Sequence, residues 1–266
     1  ISWNIHKNIN LSVFESVVWQ GKDTLSNRNF DVNYLNPIIF FRPVEYSIGS
    51  SDNSFLGANL KFKIFKNHIL YSQVIFDEFL LSEFRENRGW WGNKYGIQLG
   101  YKAYNPFKVN GLGYQFEFNT VRPYTYSHVS SLQNYGHNNQ SLAHPLESNF
   151  IELLSRIYYQ RNNITFLFQY TYQIQGKDYM NNNYGGNMYS SYLTYLSEYN
   201  NFITQGEENI VNHYSVQLSY MLIPSSVTSF FAKFDYRDVY HDNNTLQQSI
   251  FTLGIKSNIW ENYLDY

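Results

Sequence analysis

Ile164-Thr165-Phe166-Leu167-Phe168-Gln169-Tyr170-Thr171-Tyr172-Gln173-Ile174-Gln175 is the stretch on which the fold turns. Ile164, Phe166, Phe168, Tyr170, Tyr172 and Ile174 share one side of an extended chain, and Thr165, Gln169, Thr171, Gln173 and Gln175 share the other, with Leu167 the lone intruder. Side chains alternate across a β-strand with a period of two, so this is a long strand with one apolar and one polar face. The same pattern recurs at Tyr95, Ile97, Leu99 and Tyr101 and at Leu112, Tyr114, Phe116 and Phe118. It returns at Tyr214, Val216, Leu218, Tyr220 and Leu222 and at Phe230, Ala232, Phe234 and Tyr236. Weaker strands are predicted over 8–20, 55–66, 68–79, 149–161 and 246–257, which makes about ten, and no helix of useful length is expected. All six prolines, Pro37, Pro43, Pro106, Pro123, Pro145 and Pro224, fall between these segments, where no ladder donor is lost.

The connections alternate in length. Lys66-Asn67-His68, the stretch around Asn105-Pro106, Arg161-Asn162-Asn163 and Pro224-Ser225-Ser226 are tight turns built from ordinary turn residues. Long connections run over about 20–54, 80–92, 123–148 and 176–207, with a shorter one near His241-Asp242-Asn243-Asn244. Short turns at one end and long loops at the other are the pattern of an outer-membrane barrel, with the long loops extracellular. A soluble β-sandwich also alternates, but its strands centre on roughly five or six residues, whereas roughly 9–11 span a bilayer at a tilt. The expectation is therefore an all-β, antiparallel, transmembrane outer-membrane barrel, one domain over residues 1–266, in contact with outer-membrane lipid.

Composition fits that environment and closes other routes. Charged residues make up 15% and aromatics 20%, with 26 Tyr and 21 Phe, against roughly 25% charged in ordinary soluble domains. Mean hydropathy is nevertheless −0.44, and no apolar run approaches the roughly 20 residues of a membrane helix. Aromatics bracket aliphatic strand middles, as interfacial girdles would. With no Cys there is neither a disulfide framework nor a thiolate nucleophile or metal site. A net charge of −2 gives no field that would gather nucleic acid. The chain opens at Ile1 with no initiator Met and no leader, and its N-terminus is expected to be a cut edge.

Several spaced words in the loops carry a family likeness. Asn36-Pro37-Ile38-Ile39-Phe40-Phe41-Arg42-Pro43-Val44-Glu45-Tyr46-Ser47-Ile48-Gly49, followed by Ser51-Asp52-Asn53, resembles the Wzi-like capsule-assembly family, especially its gliding-motility branch. Asp77-Glu78-Phe79, Gly89-Trp90-Trp91-Gly92-Asn93-Lys94, Val121-Arg122-Pro123-Tyr124-Thr125-Tyr126, His144-Pro145-Leu146 and the ending Tyr263-Leu264-Asp265-Tyr266 look like that branch too. The likeness runs from about residue 34 to the end. It implies a largely occluded barrel of about 18 strands that holds surface polysaccharide without acting on it chemically, with this chain as its C-terminal part. Other outer-membrane proteins in a complex are the alternative partners, and a diffusion porin or a surface glycan hydrolase are the remaining readings.

Candidate residues are weighed against plainer roles. Trp90 and Trp91 suit stacking on a sugar ring, and equally suit anchoring in the headgroup layer. Arg42, Glu45, Arg122, Tyr124 and Tyr126 lie just outside strand ends, placed either to recognise a hydroxyl-rich or acidic glycan or to fold the loops into the barrel mouth. Inward-facing Lys61, Lys63, Gln73, Asp77, Lys94, Gln98, Lys102, Glu117, Glu152, Arg156, Lys233, Asp235 and Arg237 mix both signs, which suits pairing across a lumen better than a charge-selective pore. Asp77-Glu78 with Glu117 or Glu152 would serve as a glycosidase pair only at a separation near 5 or 6.5–9.5 Å. His128, His137 and His144 share one loop without a ligand spacing. No catalytic residue, metal or cofactor is expected.

Overall fold

The computed structural model describes residues 1–21, 30, 32–35, 52–241 and 244–257. In chain order the strands are β1 (Ser2–His6), β2 (Ile9–Val18), β3 (Asn53–Phe65), β4 (His68–Phe76), β5 (Tyr95–Tyr104), β6 (Leu112–Val121), β7 (Gly136–His137), β8 (Gln140–Ser141), β9 (Phe150–Arg161), β10 (Ile164–Lys177), β11 (Glu207–Ile223), β12 (Thr228–His241) and β13 (Asn244–Lys256). Among the described residues one short α-helix, α1 (Leu81–Glu86), interrupts them between β4 and β5. All strands but β7 and β8 join one 11-stranded sheet in sequence order, and every neighbouring pair is antiparallel. The two-residue β7 and β8 form a separate hairpin inside a loop.

All ten expected strands are present, and β1 makes an eleventh. It is five residues long and pairs with β2 through the Lys7-Asn8 turn; so short a run gives alternation little room to register. Among the described residues the expected barrel is not closed, because β1 and β13 are each paired along one side only. The fold is thus an all-β antiparallel sheet. Residues 242–243, which link β12 to β13, lie outside the described residues.

Register fixes the two faces. Phe166 lies opposite Leu218, and Leu218 opposite Ala232; Phe168 lies opposite Val216, and Val216 opposite Phe234. Directly opposed residues share a face, so the apolar side chains of successive strands merge into one surface. That surface is bare: Leu70, Leu99, Phe116, Leu218, Phe234 and Leu253 are all exposed. Toward one end of it Tyr170, Tyr214 and Tyr236 form a cross-strand row, with ring centroids 4.7 and 6.2 Å apart. Toward the other, Tyr220 is paired with Phe230, and Tyr101 packs on Tyr114. Tyrosine-bearing rows therefore flank a middle of Leu, Val, Ala and Phe.

The opposite face carries the polar partners and, at one end, the core. Phe55, Ile75, Val121 and Phe150 come from the strands, Tyr126 and Met188 from loops, and Phe14, Val18, Tyr135, Leu146 and Tyr189 pack around them. The four strand residues share the polar face near the long-loop end, so the core forms where loops 122–149 and 178–206 fold down upon it. The described register shifts, at Asn4/His6, Lys63/Phe65 and Met221/Ile223, all fall at the short-turn end. Among the described residues no helix is long and apolar enough to cross a membrane, a result silent about strands.

Candidate functional site

The site assembles where the long loops cap the polar face. Loop 77–94 is stitched to loop 178–206 by backbone bonds from Trp91 to Glu198 (3.0 Å), Asn200 to Arg88 (2.8 Å) and Asn201 to Gly89 (2.9 Å). Gly89 permits this approach: its φ is +69°, and a Cβ there would meet the Asn201 backbone at 2.8 Å. Gly92 likewise leaves room for the Trp90 ring, which would lie 2.5 Å from an added Cβ. The Gly-Trp-Trp-Gly word thus serves a close loop junction.

Trp91 stacks on Tyr195 with centroids 4.7 Å apart and planes at 11°, and packs on Tyr192 at 5.1 Å and edge-on to Tyr124 at 6.3 Å. Trp90 leans on Trp91 at 5.9 Å. Intramolecular aromatics therefore take the Trp91 faces that a headgroup anchor or a sugar would use. Arg122 donates from Nη2 to the carbonyls of Trp90 and Asn201, both at 3.3 Å, with its guanidinium over the Tyr95 ring. Tyr124 and Tyr126 are 1% and 3% exposed. Tyr124 donates to the Asn183 carbonyl at 2.9 Å, and Tyr126 joins the core. Both candidate tyrosines are therefore shielded from solvent in this arrangement. Arg42 and Glu45, with the word from Asn36 to Gly49 and the ending Tyr263-Leu264-Asp265-Tyr266, lie outside the described residues.

Beneath Tyr126 sits a buried ion cluster. Lys94 and Asp77 are fully buried side chains with Nζ 3.3 Å from Asp77 Oδ1, and Glu78 Oε2 lies 3.7 Å from the same ammonium. Lys94 also donates to the Ser127 carbonyl at 3.2 Å and sits 4.3 Å from the Tyr192 ring centroid. Asp77 Oδ2 accepts from the Tyr126 backbone N–H at 2.8 Å. Burial pushes the Asp77 carboxyl up to about 6, against the lowering pull of Lys94. His128 is pushed below its usual value by burial and then by Lys94, while its Nδ1 pairs with Gln133 Oε1 at 3.0 Å.

The polar face below carries several hydrogen-bonded clusters. Asn119 Nδ2 donates to Glu117 Oε1 at 3.1 Å and to Glu152 Oε1 at 2.9 Å, so one amide bridges both carboxylates. Glu117 also accepts from Gln98, Gln115 and Tyr71, and Glu152 pairs with His144 at 3.0 Å and accepts from Gln173 at 2.7 Å. Arg156 donates twice to Gln169, and Asp235 pairs with Lys233 and His213. Two cavities lie within this layer. One of about 280 Å³ is roofed by Tyr126, Tyr135, Leu142 and His144; one of about 760 Å³ is lined by Glu117, Glu152, Arg156, Gln173, His213 and Arg237.

The structure separates other residues considered together in the sequence. Asp77 belongs to the loop cluster rather than to the Glu117–Glu152 bridge. The three loop histidines do not converge: His128 lies against Tyr192, His144 stacks on Phe150, and His137 is exposed on the β7–β8 hairpin. Among the described residues no group of three or more His, Asp or Glu is placed to hold a metal ion. Sequence reasoning missed Asn149, a fully buried hub with φ +59°. Its Nδ2 donates to the carbonyls of Gly176 (2.8 Å) and Gln205 (2.7 Å), and its Oδ1 accepts from Thr204 N–H at 2.7 Å. Tolerance of the left-handed region is the one local hint that an Asn gives. No family model and no curated protein matches the chain.

Proposed function

We propose that this sheet is the lipid-facing wall of an outer-membrane β-barrel whose long loops are extracellular and whose role is to hold surface polysaccharide without chemistry. The observation that carries the membrane reading is the bare apolar face, spread over successive strands, opposite a polar face that is hydrogen-bonded and roofed by loops. Contiguous exposed apolar surface on this scale marks an interaction site, and its strands, 9 to 17 residues long from β2 to β6 and β9 to β13, reach across a bilayer. That Glu117, Glu152, Arg156 and Asp235 are each satisfied by neighbouring polar side chains supports an occluded interior over a porin. The glycan role follows from the resemblance to the capsule-assembly family.

A second reading, a wall completed by a partner in a larger outer-membrane assembly, is favoured by the free edges of β1 and β13. With 11 alternating strands, β1 and β13 run in the same direction. Direct closure would make one parallel seam, whereas an odd number of further strands restores antiparallel pairing throughout.

The chain has no Cys, so single cysteines report cleanly. Asn139→Cys in loop 122–149 should react with a membrane-impermeant maleimide on intact cells, and Asn67→Cys at a short turn should react only after lysis. The reverse pattern inverts the topology. Detergent-purified protein should carry surface glycan by carbohydrate analysis; stable stoichiometric protein partners without glycan would select the second reading.

A further inference from the structure

We infer that α1 with its flanking residues is an interfacial foot that lies in the headgroup–acyl boundary of the outer leaflet, outside the wall and not over its mouth. The inference rests on the proposal that the apolar face meets lipid. Phe76 and Tyr95 are the last apolar-face residues of β4 and β5 at the long-loop end, and they lie opposite each other in the register. Phe79 packs on them with centroids 4.9 and 6.4 Å away, and Phe84 packs on Phe79 at 5.4 Å and Tyr95 at 6.2 Å. This aromatic cluster ties the helix to the outside of the wall. Other loop segments roof the polar face instead.

The helix is two-sided. Leu80, Leu81 and Phe84 are 47%, 51% and 50% exposed, and Leu81 and Phe84, three positions apart, share a helical face. Three of the charges are drawn together: Arg88 pairs with Glu83 at 2.9 Å and with Glu86 at 2.8 Å, and its guanidinium lies 4.4 Å over the Tyr199 ring of loop 178–206, while Arg85, four positions from Leu81, is exposed at the flank of the apolar side. Both ends are pinned, by the Leu80 N–H donating to Asn93 Oδ1 at 2.8 Å and by Asn87 in the left-handed region. A short helix so fixed does not turn its leucines inward. Its apolar side continues the bare face through Phe76 and Tyr95 into Val74, Ile97 and Leu99, so one occupant covers both: acyl chain below and headgroup at the charged side. Amphipathic helices of this character seat their apolar face at that boundary.

The test uses spin labels on single cysteines in protein reconstituted into vesicles of phosphatidylcholine and phosphatidylglycerol, reading collisions with oxygen against those with a water-soluble nickel chelate. Leu81→Cys and Phe84→Cys should show oxygen-rich, nickel-poor environments at a shallow depth. Leu218→Cys should show the same at greater depth, and Glu86→Cys the reverse. Leu81 already faces outward, so its replacement leaves the aromatic packing intact if the Phe84 variant fails to fold. Nickel access at positions 81 and 84, with position 218 still in lipid, overturns the foot and leaves the wall standing. Protection from both reagents at 81 and 84 also overturns it, in favour of a protein-covered patch. Nickel access at 218 removes the membrane reading and the foot with it.

Discussion

Lys94 has little room for change. Its ammonium is buried with two carboxylates, a carbonyl and an aromatic ring around it, so Lys94→Met removes the charge that holds the Asp77 carboxyl down and leaves that carboxyl buried without its counter-ion. Breaking a buried pair in this way costs about 3–5 kcal/mol, whereas removing both charges is far milder. We expect Lys94→Met to raise the hydrogen exchange of loop 122–149 steeply and Asp77→Asn/Lys94→Met to restore most of the protection; equal exchange in the two variants would dismiss the pair. Asp77 adds a pH dependence. Its carboxyl sits near 6 when folded and 3.8 when unfolded, so the folded chain holds the extra proton between those values. The stability it contributes is present in full below about 4 and is lost as pH rises through about 6. Glu147, also raised by burial, acts with the same sign. Loop protection should therefore fall between pH 4 and 7, less steeply in Asp77→Asn, and a slope unchanged by that substitution would exclude Asp77.

At the scale of elements, the two faces of one strand should respond oppositely to the same kind of change. Leu218 stands exposed on the apolar face of β11, between Phe166 and Ala232, while its neighbour Gln217 points to the polar face opposite Lys233. If the apolar face meets lipid as proposed, Leu218→Arg puts a guanidinium in the bilayer and should destabilise the protein by about 2–4 kcal/mol. Gln217→Glu adds a charge beside a cation and should cost little. Denaturant titration in lipid vesicles checks this, and similar costs for both would mean that the apolar face does not meet lipid. Gln169 is a poor control position, because Arg156 already donates to it twice and an arginine there would meet a like charge.

For the whole molecule, the described loops themselves provide the roof: segments 88–94, 122–149 and 178–206 interlock over the polar face. The apolar run Ile38-Ile39-Phe40-Phe41, a natural plug on hydropathy alone, lies outside the described residues. On the proposed occluded-barrel reading, planar-bilayer recordings should be silent, and conductance should appear when Asn149→Ala releases the bonds that tie loops 122–149 and 178–206 together. Large steady steps in the parent protein would instead favour an open pore.

The sequence by itself determined strand positions, the two faces and which end carries the long loops. Each of those rests on information within a dozen residues: the period-two pattern of Ile164 to Gln175, the turn chemistry of Lys66-Asn67 or Asn162-Asn163, the spacing between them. It did not reach β1, whose five residues are too few to show a period, nor α1, whose six were masked within a long loop. Tertiary structure alone decided what the loop residues do. Tyr124 and Tyr126 carry no local mark distinguishing a buried ring from one that meets a ligand; Trp91 finds Tyr195 about a hundred positions away in sequence, and Asn149 binds carbonyls and an N–H from three distant segments. Lys94 is buried because loops from both sides close over Asp77, and that cost is met only by partners the folded chain brings together. Strand alternation is a short-range property of the backbone, while burial of a loop side chain depends on every segment that reaches it.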